Sequence, residues 1–186
     1  MEKLLFYDLE TTGVKYWKNG IHQISGAVVI DGQIKEVFDF KVRPNDNALI
    51  EEEALKVGNV TKEQIMAYPT MKEVYSKIIT MLSKYVDKFD KKDKFHLIGY
   101  NNASFDNQFF RAFFVQNNDV YFGSWFWSDS IDVMVMASFK LRKVRYELVD
   151  FKQSTVAKFL GIEIDESKLH DAKYDIEICI KIFNML

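Results

Sequence analysis

Cysteine is almost missing from this chain of 186 residues. Cys179 stands alone, which excludes an intrachain disulfide and a cysteine-built zinc site and fits a reducing compartment. Proline occurs only at Pro44 and Pro69, and no Ser/Gly-rich stretch, internal repeat or low-complexity tract marks a linker. No run approaches the roughly 18 apolar residues that a membrane span needs. Asp8 arrives after only four apolar residues, too few for a signal peptide, so a cytoplasmic protein with no membrane association is expected. Charge of one sign is also lacking. The formal net charge is −2, so the field of the whole molecule does not gather a polyanion, and any nucleic-acid contact must rest on local cations or bound metal.

What is present is ordinary for a globular chain: 48% apolar and 28% charged residues, with 16 phenylalanines to build a bulky core. The length suits one domain over residues 1–186. Residues 3–10 (KLLFYDLE) are apolar on both faces, as in a central buried strand. β-rich runs at 21–30 and 34–42 meet at Asp31-Gly32, a hairpin signal, and an antiparallel meander of the three segments is expected. Short helices are expected at 49–57 and 61–66, the second capped near Thr61, then a longer one within 70–87. A strand at 95–100, a helix at 104–115, a strand at 125–131 and helices at 133–141, 152–160 and 172–186 complete the pattern. The order implies an α/β fold, a mixed sheet with helices on its faces.

Four acids stand at the edges of apolar faces. Along a strand Asp8 and Glu10 share a face with Leu4 and Phe6, and two like charges there are costly unless a cation lies between them or the strand ends early and both are solvated. Asp106 is in line with Phe109, Phe110 and Phe113, although an acid in a first turn also suits a helix cap. Asp175 borders the stripe Ala172, Ile176, Cys179, Phe183 and Leu186. His170, five residues earlier, converges with it if it lies on the approaching loop and Asp171 caps the helix. His22 and His96 read as incidental. The simplest resolution is that the four acids meet and share divalent cations, and oxygen-only ligation suits Mg²⁺ or Mn²⁺ rather than zinc.

Three segments in order now carry a resemblance. FYDLETTG at 6–13, YNNASFD at 100–106 and HDAKYD at 170–175 resemble the D-x-E-T-T-G, H-N-x-x-F-D and H-x-A-x-x-D motifs of the DnaQ-like (DEDD) exonucleases, in the subclass with a histidine. The similarity runs on through GIHQISGAVVI, FKVRPN, SIDVMVMA and TVAKFLGI and so covers almost the whole chain, including a likeness to the proofreading exonuclease of bacterial DNA polymerase III. Asn101 stands where the family often has His, and Ile176 where Ala is common.

The resemblance implies a ribonuclease-H-like, five-stranded mixed sheet and a 3′→5′ exonuclease that releases 5′-mononucleotides. It implies that Asp8, Glu10, Asp106 and Asp175 hold two divalent cations, Mg²⁺ or Mn²⁺, with His170 as general base. Thr11, Thr12 and Gly13 would hold the terminal nucleotide, Val14 would wedge against its base, and Asn102 and Phe105 would position sugar and base. The expected partner is a single-stranded 3′ end, DNA in preference to RNA. With the chain ending at Leu186 inside its last helix, proofreading would need a noncovalent polymerase partner. An exoribonuclease, a catalytically silent nucleic-acid-binding module and a ribonuclease-H-like endonuclease are the competing readings, and His170 ahead of Asp175 favours the exonuclease over the last. Two further features stay open: YFGSWFW (121–127) is a base-stacking platform or, in preference, a buried strand, and Lys140, Arg142, Lys143 and Arg145 are phosphate contacts or a solvated run.

Overall fold

Residues 1–169 and 171–186 are described in a computed structural model of the chain. The segment expected to be a central strand is one: β1 (Lys3–Thr11) buries both faces in a sheet of order β3-β2-β1-β4-β5. β2 (Ile21–Ile30) and β3 (Gln33–Lys41) complete the antiparallel meander, with Leu4 opposite Val29 and Val28 opposite Glu36. Asp31 and Gly32 at their turn have φ of 47° and 76°, the left-handed values that a tight hairpin demands and that glycine accepts freely. β4 (His96–Gly99) lies parallel to β1, and β5 (Ile131–Asp132) parallel to β4. This mixed five-stranded sheet flanked by helices is the ribonuclease-H-like fold.

Alternation along β1 divides the core. Leu5, Tyr7 and Leu9 pack with Val74, Ile78, Met81 and Leu82 of α3 (Met71–Leu82) and with the phenylalanines of α4 (Asp106–Gln116). Leu4 and Phe6 pack on the other face with α6 (Val133–Lys140), α7 (Gln153–Phe159) and α8 (Ala172–Met185). α1 (Glu52–Val57) and α2 (Lys62–Met66) bridge β3 to α3; Thr61 caps α2 in a reciprocal box with Gln64, and Thr70 does the same for α3 with Glu73. Among the described residues no helix is long and apolar enough to cross a membrane.

Boundaries differ where side chains capture backbone. Residues 49–51 are not helical, because Leu49 bridges Asn19 and lends its carbonyl to Thr12 and Asn19. α3 stops at Leu82, where Ser83 Oγ returns to the Ile79 carbonyl at 2.7 Å. The strand expected at 125–131 is a correction. Phe122–Trp125 is a short helix, α5, and Phe126 makes only a single bridge to Phe95 before β5 begins at Ile131. The reason is spacing: Phe122 and Phe126, four apart, put their rings 4.6 Å from each other and against Phe110 and Phe114, a helical pairing that alternation would break. Phe122, Trp125 and Phe126 are therefore core, not a stacking platform.

Candidate active site

β1 and β4 run parallel, and the cavity opens at their carboxyl ends, where such sheets gather ligands. Strand alternation turns Asp8 and Glu10 to the face covered by α8, the first turn of α8 supplies Asp175, and the first residue of α4 supplies Asp106. All four acids line one cavity of about 840 Å³, together with Phe105 and Lys152. Asp171 caps α8 by accepting from Tyr174 N at 3.0 Å, which fixes the turn that presents Asp175. Gln153 Nε2 donates to the Asp175 carbonyl at 2.5 Å and ties α7 to the same turn.

The charges are held uneasily. Burial first, then Asp106, Glu10 and Asp175, raises the Asp8 carboxyl well above its usual range. Burial and then Asp175 push Glu10 up to about 7, while Lys41 pulls it back. Asp106, only 6% exposed, is pushed up to about 8 by burial, against the pull of backbone hydrogen bonds at Asp106 and Leu9. Burial, Asp106 and Asp8 also raise the Tyr7 phenol beneath them. Cys179 is a buried thiol raised by burial and then by Asp8, Asp132, Asp106 and Asp175, consistent with a packing role.

Such a set must bind either protons or cations. Among the described residues no three His, Cys, Asp or Glu side chains are grouped tightly enough to hold a metal ion. Their chemistry still fits one, since carboxylate oxygens are the donors that hard divalent cations take, and two positive charges would relieve the repulsion that raises these groups.

The other candidates divide. Phe105 lines the cavity, its ring 5.0 Å from that of Phe109. Asn102 is fully buried, and among the described residues neither amide atom meets a hydrogen-bond partner. Thr11 Oγ1 donates to the Gly13 carbonyl at 2.8 Å, and Thr12 Oγ1 donates to the Leu49 carbonyl at 2.8 Å. Gly13 is required by close approach: a Cβ there would meet Asn19 Nδ2 at 2.3 Å. Val14, on the loop beyond, is 69% exposed. His170 lies outside the described residues. Of the basic run, Lys140 donates to Leu186, and Arg142 and Arg145 donate to the carbonyls of Phe139 and Leu148.

Several residues escaped the reading of the sequence. Asn19, 2% exposed, accepts from Lys15 N at 2.8 Å and donates to Leu49 O at 2.8 Å, pinning the loop after β1. Asp132, 8% exposed, accepts from Asn101 N at 3.0 Å and Met134 N at 2.9 Å, so one carboxylate caps α6 and holds the loop before Asp106. Asn101 there has φ 61°, which asparagine tolerates. Lys41 shares a cross-strand row with Gln23 and Glu10. His22 is 1% exposed, both ring nitrogens are unpartnered among the described residues, and burial pulls its pKa down to about 4. Only Asp132, an acid at the head of an apolar helical run, left a signal in sequence.

Comparison with known proteins agrees with this geometry. The RNase T family, described as Exonuclease, matches residues 5–183. PolC-type DNA polymerase III of Mycoplasmopsis pulmonis is 26% identical over 182 residues, 98% of this chain but 11% of that protein. The same polymerase of Clostridium perfringens is 26% identical over 179 residues, again 11% of its length, so the chain spans about a tenth of these relatives. Among solved structures, E. coli Exonuclease I in complex with a dT13 oligonucleotide matches with TM-score 0.78 at 21% identity, covering 100% of this chain and 41% of that one. A zinc-bound form of the E. coli enzyme with single-stranded DNA gives TM-score 0.78 at 22% identity, covering 100% and 40%. With the family matched over nearly the whole chain, and with the acids of three ordered motifs facing one cavity, this chain belongs to the DnaQ-like exonucleases, a family of phosphodiester hydrolases.

Proposed function

We propose that residues 1–186 form a single exonuclease unit that hydrolyses the terminal phosphodiester of single-stranded DNA from the 3′ end, releasing 5′-mononucleotides. The observation that carries this reading is the convergence of Asp8, Glu10, Asp106 and Asp175, from β1, α4 and α8, on one cavity. These four carboxylates would hold two divalent cations, Mg²⁺ or Mn²⁺. When bound, such ions polarise the phosphodiester and make water nucleophilic near neutral pH. The chain's own groups do the rest. Glu10 and Asp106 would serve as ligands in their ionised form, His170 would accept the proton of the attacking water at its imidazole, whose reference pKa of ~6.5 leaves it a competent base, and the departing 3′ oxygen would take a proton from solvent. Phe105 lies against the terminal nucleoside, Asn102, fully buried, acts on it through the turn whose Phe105 N and Asn107 N donate to its carbonyl, and Thr11, Thr12, Gly13 and Val14 form the loop that follows Glu10.

The likeness to a stretch of PolC-type polymerases supports a replicative setting, with proofreading beside a DNA polymerase. Digestion of a 5′-labelled single strand of DNA, beside matching RNA and a closed circle, tests the reading. A ladder shortening from the 3′ end, lost in EDTA, with the circle uncut and DNA cut faster than RNA, is expected. A nicked circle overturns the exonuclease in favour of an endonuclease, and faster cleavage of RNA reassigns the substrate. No cleavage by folded, metal-loaded protein leaves a binding module.

A further inference from the structure

A second concavity, a groove of about 460 Å³, lies between the loop after β1 and the exposed face of α4, lined by Tyr16, Trp17, Gln108, Arg111 and Val115. Its walls are apolar and open to solvent: Trp17 is 65% exposed, Val115 54% and Tyr16 37%. An indole so exposed forgoes the large burial that usually places tryptophan in a core, whereas Trp125 of this chain is 2% exposed. Trp17 is braced nonetheless. Its ring meets Tyr16 edge-on at 5.1 Å, and its loop is stitched down by Asn19 and by Leu49 N donating to the Lys18 carbonyl at 2.7 Å.

The groove carries one charge, and it is positive. Arg111 is held over the Phe122 ring at 4.6 Å, and among the described residues no acid lines the groove, although the carboxylate cavity is rich in them. The two concavities share their elements. The loop bearing Trp17 follows β1, which carries Asp8 and Glu10, and α4 carries both Asp106 and Arg111.

A rigid exposed aromatic ledge beside a lone arginine is what a nucleobase and its phosphate require, one for stacking and one for charge. We propose that this groove is a subsite for single-stranded nucleic acid, with Trp17 stacking on a nucleobase outside the carboxylate cavity and Arg111 contacting the adjoining phosphate. It rests on the nuclease reading above and adds to it the means by which a chain of net charge −2 retains its polyanionic substrate.

The test is the affinity of the full chain for a fluorescent single-stranded oligonucleotide, by anisotropy with Ca²⁺, in wild type, Trp17→Ala, Trp17→Phe and Arg111→Ala. Trp17→Ala is expected to weaken binding by roughly 5- to 100-fold, the range for loss of one stacked base. Trp17→Phe restores most of it. Arg111→Ala reduces the slope of log affinity on log salt by about 0.7, one single-strand phosphate. Cleavage of the p-nitrophenyl ester of thymidine 5′-monophosphate, which holds one nucleotide, stays unchanged in Trp17→Ala. Unchanged oligonucleotide affinity in a folded Trp17→Ala protein that still degrades DNA overturns this subsite alone and leaves the groove to a protein partner. A wild type that neither binds nor cleaves the strand overturns the nuclease reading with it.

Discussion

Asp8 shows the conflict at the scale of one residue. It ends an apolar alternation on a buried strand, and burial together with three neighbouring acids raises its carboxyl. The fold therefore carries an acid whose ionised form it disfavours, a cost that makes sense where a cation is to be bound. Asp8→Asn removes the charge and keeps the shape. We expect it to raise the melting temperature in EDTA at pH 8 by about 2–4 °C for each kcal/mol relieved, while nuclease activity falls by on the order of 100-fold or more. Thermal melts and a cleavage assay on the same preparation check both. An unchanged melt with lost activity would show that the fold does not disfavour the ionised Asp8 carboxylate. The acids were legible in sequence because each interrupts an apolar face. Asn102 was legible only as part of a motif, and its complete burial could not be read, since burial of a loop side chain depends on what crosses over it.

Among the elements, the loops that frame the cavity matter more than the helices do. Asp132 accepts from Met134 N on one side and from Asn101 N on the other, so a two-residue strand fixes both α6 and the approach to Asp106. Asp132→Ala should cost about 1 kcal/mol from the cap alone and more from the freed loop. Its activity should drop with kcat affected more than KM, because Asp106 is misplaced while the strand still binds. Steady-state kinetics separates this from a purely structural role, which would leave the folded fraction with unchanged kcat. The meander at 21–41, with its Asp-Gly turn, was plain in the sequence, as were the long amphipathic helices. The aromatic run at 121–127 misled because aromatics favour strands as well as cores, and only the packing of Phe122 and Phe126 on Phe110 and Phe114 chose the helix.

For the whole molecule, the site is coupled to stability through pH. Glu10 rises from an ordinary 4.5 to about 7 and Asp106 from 3.8 to about 8, so in the window between these values the folded chain binds protons that the unfolded chain has lost. Stability without metal should therefore fall as pH rises from about 4 to about 8. His22 works against this at the acid end. Its pKa falls from 6.5 to about 4, so its contribution is lost as pH drops through that range. Denaturant titrations across pH, with EDTA and with Mn²⁺, should show the alkaline loss in EDTA and its recovery with metal. A metal-free protein more stable at pH 8 than at pH 6 would contradict the raised acids. None of this coupling was visible in the sequence, because it depends on which strands are neighbours: Lys41 opposes Glu10 only through Gln23, a register that three separate segments set together.

The central claim is that these four carboxylates are the metal site, and a calorimetric titration of Mn²⁺ into the wild type and Asp106→Asn at pH 7.5 tests it most directly. Two ions per chain in the wild type, with proton release and with at least one ion lost or weakened on the order of 100-fold in the variant, is the expected result. Equal Mn²⁺ binding by both proteins would contradict the claim and would leave Asp8, Glu10, Asp106 and Asp175 as a buried acidic cluster without a cation.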